Sequence, residues 1–214
     1  MSLRAVIFDL DGTLADTLPV CFEAFRRALR THAGRTFANE EIRSYFGPSE
    51  EGMLQQLVPA VWEPCFADYL REYERAHVLC PRPFEGIADA LALLRSRGAC
   101  TALVTGKGPK STAITLRVLG VADAFDAIET GSAAGAVKPE AIRKVLRDLG
   151  LAPADAAYVG DAPYDIEAAR DAGVLPVAAA WAPGTDAEAL SALGPAQLFR
   201  TVDDFIRWIG NGNR

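Results

Sequence analysis

The stretch Ala5-Val6-Ile7-Phe8-Asp9-Leu10-Asp11-Gly12-Thr13 decides how the rest of the chain is read. Four apolar residues form a short buried strand, and the Asp-Gly step just beyond them is the turn chemistry that ends one. Strand-like runs recur at residues 100–104, 125–128, 156–159 and 174–179. Helical periodicity fills the intervals at residues 87–97, 110–119, 139–149 and 166–172, and residues 201–209 read as one more short helix. Gly98, Gly120, Gly150 and Gly173 stand just past the four interval helices, where a left-handed C-terminal stop is expected. Strand alternating with helix predicts an α/β fold: a doubly wound, mainly parallel, Rossmann-like sheet with helices on both faces.

One interval breaks the rhythm. The later strand ends follow one another at about 30 residues, the length of one strand–helix–strand unit. The interval from Asp9 to Thr105 carries an excess of about 65 residues over one such unit. The excess is amphipathic and helical at residues 18–31, 39–45, 50–58 and 61–78, with Pro19 at one edge and Pro81 and Pro83 at the other. The expected organisation is a core of residues 1–14 and 83–214, carrying an inserted all-helical cap of residues 15–82 on two linker strands.

Composition narrows the function. The chain has 214 residues, half of them apolar, with 22 Lys+Arg against 28 Asp+Glu and a net charge of −6. An acidic chain without a basic run is not expected to bind nucleic acid or an anionic membrane. No run approaches the roughly 18 apolar residues of a membrane span. The segment after Met1-Ser2-Leu3-Arg4 is too short for a signal-peptide core, and the four cysteines have no CxxC spacing, so a cytoplasmic protein is expected.

Four short segments could carry chemistry, each following a strand and therefore placed where open α/β sheets bind ligands. Asp9 and Asp11 are two carboxylates two residues apart, which repel unless a cation or a shared proton compensates, and Mg²⁺ is the suitable hard cation. Thr105 and Gly106 offer a hydroxyl and an amide to phosphate oxygens, although the same residues suit a plain loop entering a helix. Lys138 precedes Pro139, expected at the first helical position, and is one of only four lysines. Asp161 ends a strand and Asp165 follows four residues later, where an acidic residue also suits a helix N-terminus. Lys107 reads as a solvated loop residue or as a charge for the site, and His32 and His77 as surface or cap residues without partners.

In that order and spacing, the DxDGT of Asp9–Thr13 and the GDxxxD of Gly160–Asp165 make the chain resemble the haloacid dehalogenase-like hydrolase superfamily. It is similar to the phosphatase branch with a helical cap, and the phosphoglycolate phosphatase-like group looks nearest. The resemblance implies a phosphatase acting on a small phosphorylated metabolite, as a monomer or homodimer. Asp9 would take the phosphoryl group, and Asp11 would protonate the leaving alcohol and then deprotonate water. Mg²⁺ would bind the Asp9 carboxylate, the Asp11 backbone carbonyl and the Asp161 carboxylate, with Asp165 as a ligand, as an outer partner, or acting through Lys138. Thr105, the Gly106 amide and Lys138 would hold the phosphate oxygens. The cap loop from Gly47 to Gly52 resembles the family's specificity loop, so Arg43, Ser49 and Glu50 are candidate leaving-group contacts; Ser49 equally suits a helix N-cap.

A hexose-phosphate mutase would share Asp9, Asp11 and the cap, but the histidine expected twelve residues after the nucleophile is replaced by Cys21. Phosphonate hydrolysis needs a cap lysine, and no lysine precedes Lys107. Dehalogenases lack the second aspartate. A non-catalytic binding module of the same fold is the remaining alternative.

Overall fold

The computed structural model describes residues 3–212; residues 1, 2, 213 and 214, assigned above to the core, lie outside the described residues. Six strands, β1 (Ala5–Phe8), β2 (Cys100–Val104), β3 (Ala127–Glu129), β4 (Ala156–Gly160), β5 (Leu175–Ala179) and β6 (Gln197–Phe199), form one sheet in the order β3-β2-β1-β4-β5-β6. Every pairing is parallel. The order reverses at β1, which lies between β2 and β4, so the crevice beyond the ends of β1 and β4 is the topological switch point of the sheet.

Period-two alternation in the strands explains the two covered faces. Val6 and Phe8 face a core shared with α5 (Ile87–Ser96) and α10 (Val202–Gly210). Ala5 and Ile7 face the opposite core with α7 (Lys138–Leu149) and α8 (Pro163–Ala172). All four strand residues are fully buried, and each large aliphatic or aromatic among them contributes about 1.5–3 kcal/mol by leaving water. Phe205 of α10 meets Phe8 edge-on at 5.9 Å and packs on Phe199 and Trp208, closing the edge of the sheet with an aromatic cluster.

The insertion between β1 and β2 is helical: α1 (Leu18–Ala33), α2 (Asn39–Arg43), α3 (Glu50–Leu57) and α4 (Trp62–Ala76), followed by a 3₁₀ turn at His77–Leu79. Helices α1 and α4 pair through a buried aromatic row in which Phe25 lies 4.5 Å from Tyr69 and Tyr69 lies 5.6 Å from Tyr73. The two linkers meet where Phe84 N donates to Leu14 O at 2.9 Å. They are irregular segments, not the expected strands, and carry only the isolated Asp11–Ala15 bridge among the described residues.

Several boundaries shift by a few residues from the sequence reading, and two short elements are new. Strand β3 begins at Ala127 because Asp126 is tied off to Thr101, its Oδ2 accepting from Thr101 N at 2.8 Å and its N donating to Thr101 O at 2.7 Å. Helix α7 begins at Lys138, which puts Pro139 at its second position. Strand β6 and helix α9 (Ala187–Ala192) are too short to show a period, and the sequence reading lacks both. The remaining helix, α6 (Pro109–Leu119), leads out of the β2 loop.

Candidate active site

The site begins at the switch point. Asp9 N donates to Val159 O at 2.9 Å, extending the β1–β4 ladder by one rung and fixing the Asp9 backbone against β4. Beyond it the chain turns sharply, with Gly12 at φ +76°. A Cβ on Gly12 would stand 2.1 Å from Asp161 Oδ2, so only glycine lets the end of β4 bring its carboxylate against this loop. Trp181, from the segment after β5, donates its Nε1 hydrogen to Thr13 O at 3.0 Å and braces the loop from the other side.

Asp9, Asp161 and Asp165 each offer an oxygen within 4.8 Å of the others. Lys138 is the cation among them, with Nζ 2.9 Å from Asp9 Oδ2 and 2.5 Å from Asp165 Oδ1. One ammonium against three crowded carboxylates leaves a negative excess in a buried place. Burial pushes Asp9 from 3.8 up to about 7; Lys138 opposes the rise, and Asp165 and Asp11 add to it. Burial, then Asp165 and Asp9, push Asp161 from 3.8 up to about 8. Asp165 and Asp9 in turn hold Lys138 well above the ordinary lysine value, against the desolvation that alone would lower it.

A divalent cation suits this group. Asp9 Oδ1 is buried and has no hydrogen-bond partner, and a buried carboxylate oxygen without a donor is costly. An all-oxygen donor set of aspartates suits a hard cation such as Mg²⁺. Asp165 differs from the other two, because protein donors reach both of its oxygens. Lys138 Nζ and the Tyr158 hydroxyl reach Oδ1, and Ala162 N donates to Oδ2 at 2.9 Å. It caps α8 and anchors Lys138 at the same time.

A cavity of about 500 Å³ opens from these residues toward the insertion. Thr105, Gly106, Lys138, Asp11 and Asp161 line its floor, and Leu18, Cys21, Arg43, Phe46 and Met53 line the opposite wall. Thr105 is buried at the end of β2, and its Oγ1 accepts from Lys107 N at 3.2 Å. Asp11 has Oδ1 accepting from the Thr17 hydroxyl, at the entrance to the cap, while Oδ2 lies 3.5 Å from Lys107 Nζ. Arg43 makes no ion pair among the described residues; its guanidinium lies 5.3 Å from the Phe22 ring centre, at the mouth.

The cap residues expected at a leaving group separate into two sets. Arg43 does line the cavity. Ser49 does not: it is buried against Gly108, and its amide donates to Ser132 O at 2.9 Å. It occupies the N-cap position of α3 without a side-chain capping bond, which corrects the capping expectation. Glu50 touches the cavity, but protein donors take both its oxygens. Lys107 Nζ lies 3.1 Å and Ser111 Oγ 2.6 Å from Oε1, and Gly108 N lies 2.7 Å from Oε2. As a leaving-group contact Glu50 therefore has little to offer in this arrangement: Oε1 is fully engaged, and Oε2 is already held by Gly108 N.

Lys107 is likewise not a solvated loop residue. It is buried, its ammonium lies 4.6 Å from the Tyr73 ring centre, and Asp11, Tyr73 and Glu50 hold it well above the ordinary lysine value against desolvation. Nor is His77 on the surface: it is buried, with Nε2 3.1 Å from Thr115 Oγ1 and Nδ1 3.2 Å from Cys80 O. His32 pairs with Asp68 at 3.0 Å. The segment from Gly131 to Val137, which offers no motif, also belongs to the site. A Cβ on Gly131 would stand 1.9 Å from Gly106 O, and Ala133 O packs where a Cβ on Gly52 would be. Its small residues are the signal that backbone passes closely there.

Against known proteins, the chain matches the haloacid dehalogenase-like hydrolase family over residues 6–179. The chain belongs to that family. A phosphoglycolate phosphatase of Neisseria meningitidis is 31% identical over 186 residues, covering 82% of this chain and 79% of that protein. The pyrophosphatase PpaX of Bacillus pumilus is 28% identical over 211 residues, covering 98% of this chain and 97% of its own length. The fold agrees with crystalline CbbY from Rhodobacter sphaeroides in complex with phosphate, at a TM-score of 0.81 and 21% identity over 95% of this chain and 96% of that one. The haloacid dehalogenase-like core is thus the sheet described here, with Asp9 and Asp161 at its switch point. Among the described residues, no helix is long and apolar enough to cross a membrane.

Proposed function

We propose that this haloacid dehalogenase-like phosphatase hydrolyses a small phosphomonoester through an aspartyl phosphate on Asp9, in the manner of a phosphoglycolate phosphatase and with Mg²⁺. The observation that carries the reading is the buried, unpartnered Oδ1 of Asp9, a residue that lies beside Asp161 and lines the cavity together with Thr105, Gly106 and Lys138. The division into a core of residues 1–14 and 83–214 and a cap of residues 15–82 belongs to the same reading, as does action on a free metabolite by a monomer or homodimer in the cytoplasm.

Asp9 attacks phosphorus as the bond to the leaving oxygen breaks, and Asp11 gives that oxygen its proton. Asp11 then takes a proton from the water that attacks the phosphorus of the acylphosphate, which returns Asp9 and releases phosphate. Thr105, the Gly106 amide and the Lys138 ammonium hold the phosphoryl oxygens throughout. Such fixed donors do most of the work in phosphoryl transfer. Mg²⁺, held by the carboxylates of Asp9 and Asp161 and the backbone carbonyl of Asp11, would neutralise negative charge on the phosphoryl group. Lys138 favours the ionised form of the nucleophile against the effect of burial and orients it, and Asp165 keeps Lys138 in place.

The mutase alternative lacks support at Cys21. Its thiol lines the cavity, lies 3.7 Å from the Tyr69 hydroxyl, and is pushed by burial up to about 12, so it exchanges no proton near neutrality. The test is turnover of a panel of phosphomonoesters and pyrophosphate with Mg²⁺ and with chelator. Metal-dependent release of phosphate from at least one monoester is expected. A chain that releases none, or that isomerises a sugar phosphate without release, overturns the reading.

A further inference from the structure

The cap and core are joined at one buried polar cluster, and that cluster ends on Asp11. Glu50 is the first residue of α3, in the insertion; its four donors include three from the core, Lys107 Nζ and Gly108 N of the loop leading into α6 and Ser111 Oγ of the first turn of α6. The fourth is the Tyr69 hydroxyl of α4, at 3.5 Å. Three of these donors converge on Oε1 and Gly108 N holds Oε2, so both oxygens are tied to the protein. Lys107 has no comparable freedom: its ammonium is bounded by Glu50, by Asp11 Oδ2 at 3.5 Å and by the face of Tyr73. Around it the cap and core also touch through the Tyr73 hydroxyl, 2.8 Å from Thr115 Oγ1 of α6, and through Ser49 N on Ser132 O.

We infer that Glu50 and Lys107 are positioning residues: docking of the cap carboxylate on the core loop holds the Lys107 ammonium against Asp11 and thereby orients Asp11 toward the leaving oxygen. The inference rests on the phosphatase reading above and adds to it the two residues outside the phosphoryl site, Glu50 and Lys107, through which this chain fixes Asp11. A freely rotating Asp11 carboxylate has one tether, the Thr17 hydroxyl on Oδ1. Lys107 supplies the second, on Oδ2, and two tethers fix the plane of the carboxylate. When the cap lifts, Glu50 leaves with α3, and Lys107 keeps only Asp11 as a carboxylate partner. Solvent then reaches the ammonium, and the second tether loosens. Proton transfer to the leaving group is therefore geometrically competent only with the cap seated, when bulk water is excluded from the acylphosphate.

The test separates this role from simple support of the fold. Turnover of p-nitrophenyl phosphate, whose leaving group departs without a proton, is compared with turnover of glycerol phosphate and 2-phosphoglycolate, whose alkoxides need one. The proteins are wild type, Glu50→Gln, Lys107→Met and the double variant, each checked for folding by thermal unfolding. Lys107→Met is expected to lower kcat on the alkyl phosphates at least about tenfold more than on p-nitrophenyl phosphate, within the range general acid catalysis supplies. Glu50→Gln, which keeps the shape of the cluster, is expected to give a smaller loss with the same substrate dependence. The double variant should be no worse than Lys107→Met, because both act through one contact. Equal losses on both kinds of substrate, or independent multiplying losses in the double variant, overturn the inference while leaving the phosphatase reading intact. Failure of the wild type on every monoester of the wider panel removes the reading itself, and the inference with it.

Discussion

Lys138 Nζ lies 2.9 Å from Asp9 Oδ2, and the same ammonium is held 2.5 Å from Asp165 Oδ1. The two bonds differ in kind. The first reaches a residue whose other oxygen has no partner, and the second reaches a residue whose oxygens are both supplied by protein donors. Lys138 is thus an arm anchored on Asp165 and aimed at Asp9. Replacing it with methionine removes a charged donor from the phosphoryl site and should lower kcat about 10²–10³-fold, the usual loss for one such donor. Asp165→Asn keeps the size of the anchor and weakens its hold, so a loss of about 10–100-fold is expected, as for other residues that orient a functional group. Steady-state kinetics on p-nitrophenyl phosphate measures both, and the order of the two losses is the informative result.

Asp9→Asn should divide activity from stability. The substitution removes the carboxylate proposed to attack phosphorus, and kcat should fall by at least about four orders of magnitude, roughly 5 kcal/mol of barrier. It also removes one of three crowded acids from a buried place where burial holds Asp9 near 7. In the absence of metal the variant should therefore melt no lower than wild type, as measured by thermal unfolding in chelator. An inactive variant that also melts much lower would mean that Asp9 holds the fold rather than performing chemistry.

The parallel sheet and the inserted helices are legible in the sequence because their signals are local and repeated. Apolar strands such as Ala5–Phe8 and glycine stops such as Gly120 and Gly150, both in the left-handed conformation, need no knowledge of distant contacts. The acidic residues at the strand ends are legible because order along the chain and parallel direction together place them on one edge. What escapes is whatever is decided by a partner far away in sequence. Lys107 looks like any loop lysine until Glu50, fifty-seven positions earlier, is found against it. The near partner of His77 is a backbone carbonyl, that of Cys80, which no residue type signals, and its side-chain partner Thr115 lies on α6. Trp181 braces the loop after Asp9 from 168 residues away. The short edge elements β6 and α9 fail for another reason: three and six residues do not complete enough of a period to be seen.

Gly12 offers a test of how closely the two halves of the acidic site must approach. Alanine there meets Asp161 Oδ2 at 2.1 Å and also requires φ +76° of a residue with a Cβ. Relief has to come from moving Asp161 or straightening the loop, and either shift pulls the carboxylates apart. Gly12→Ala should lose about 1–3 kcal/mol of stability, the range for strain at a special backbone angle. It should also need a higher Mg²⁺ concentration for half-maximal activity, which a metal titration of the rate would show.

Metal and pH should act on stability in opposite directions, and the sign follows from the carboxylates. Asp9 near 7 and Asp161 near 8 both lie above 3.8, the value of an unperturbed aspartate. Between pH 4 and 7 the folded, metal-free protein therefore holds protons that the unfolded chain has already released, so stability falls as pH rises. That contribution is complete below about 3.8 and is lost as pH passes through 7 and 8. Mg²⁺ binds the ionised forms and must displace those protons, so its binding strengthens over the interval in which the proton contribution disappears. Thermal unfolding with chelator should accordingly show a decline in Tm from pH 5 to pH 8, after correction for groups elsewhere by the same scan on the double variant Asp9→Asn, Asp161→Asn. With millimolar Mg²⁺ the decline should flatten, and the gain in Tm from metal should be larger at pH 8 than at pH 5. A metal effect that is equal at the two pH values would place the ion somewhere other than between Asp9 and Asp161.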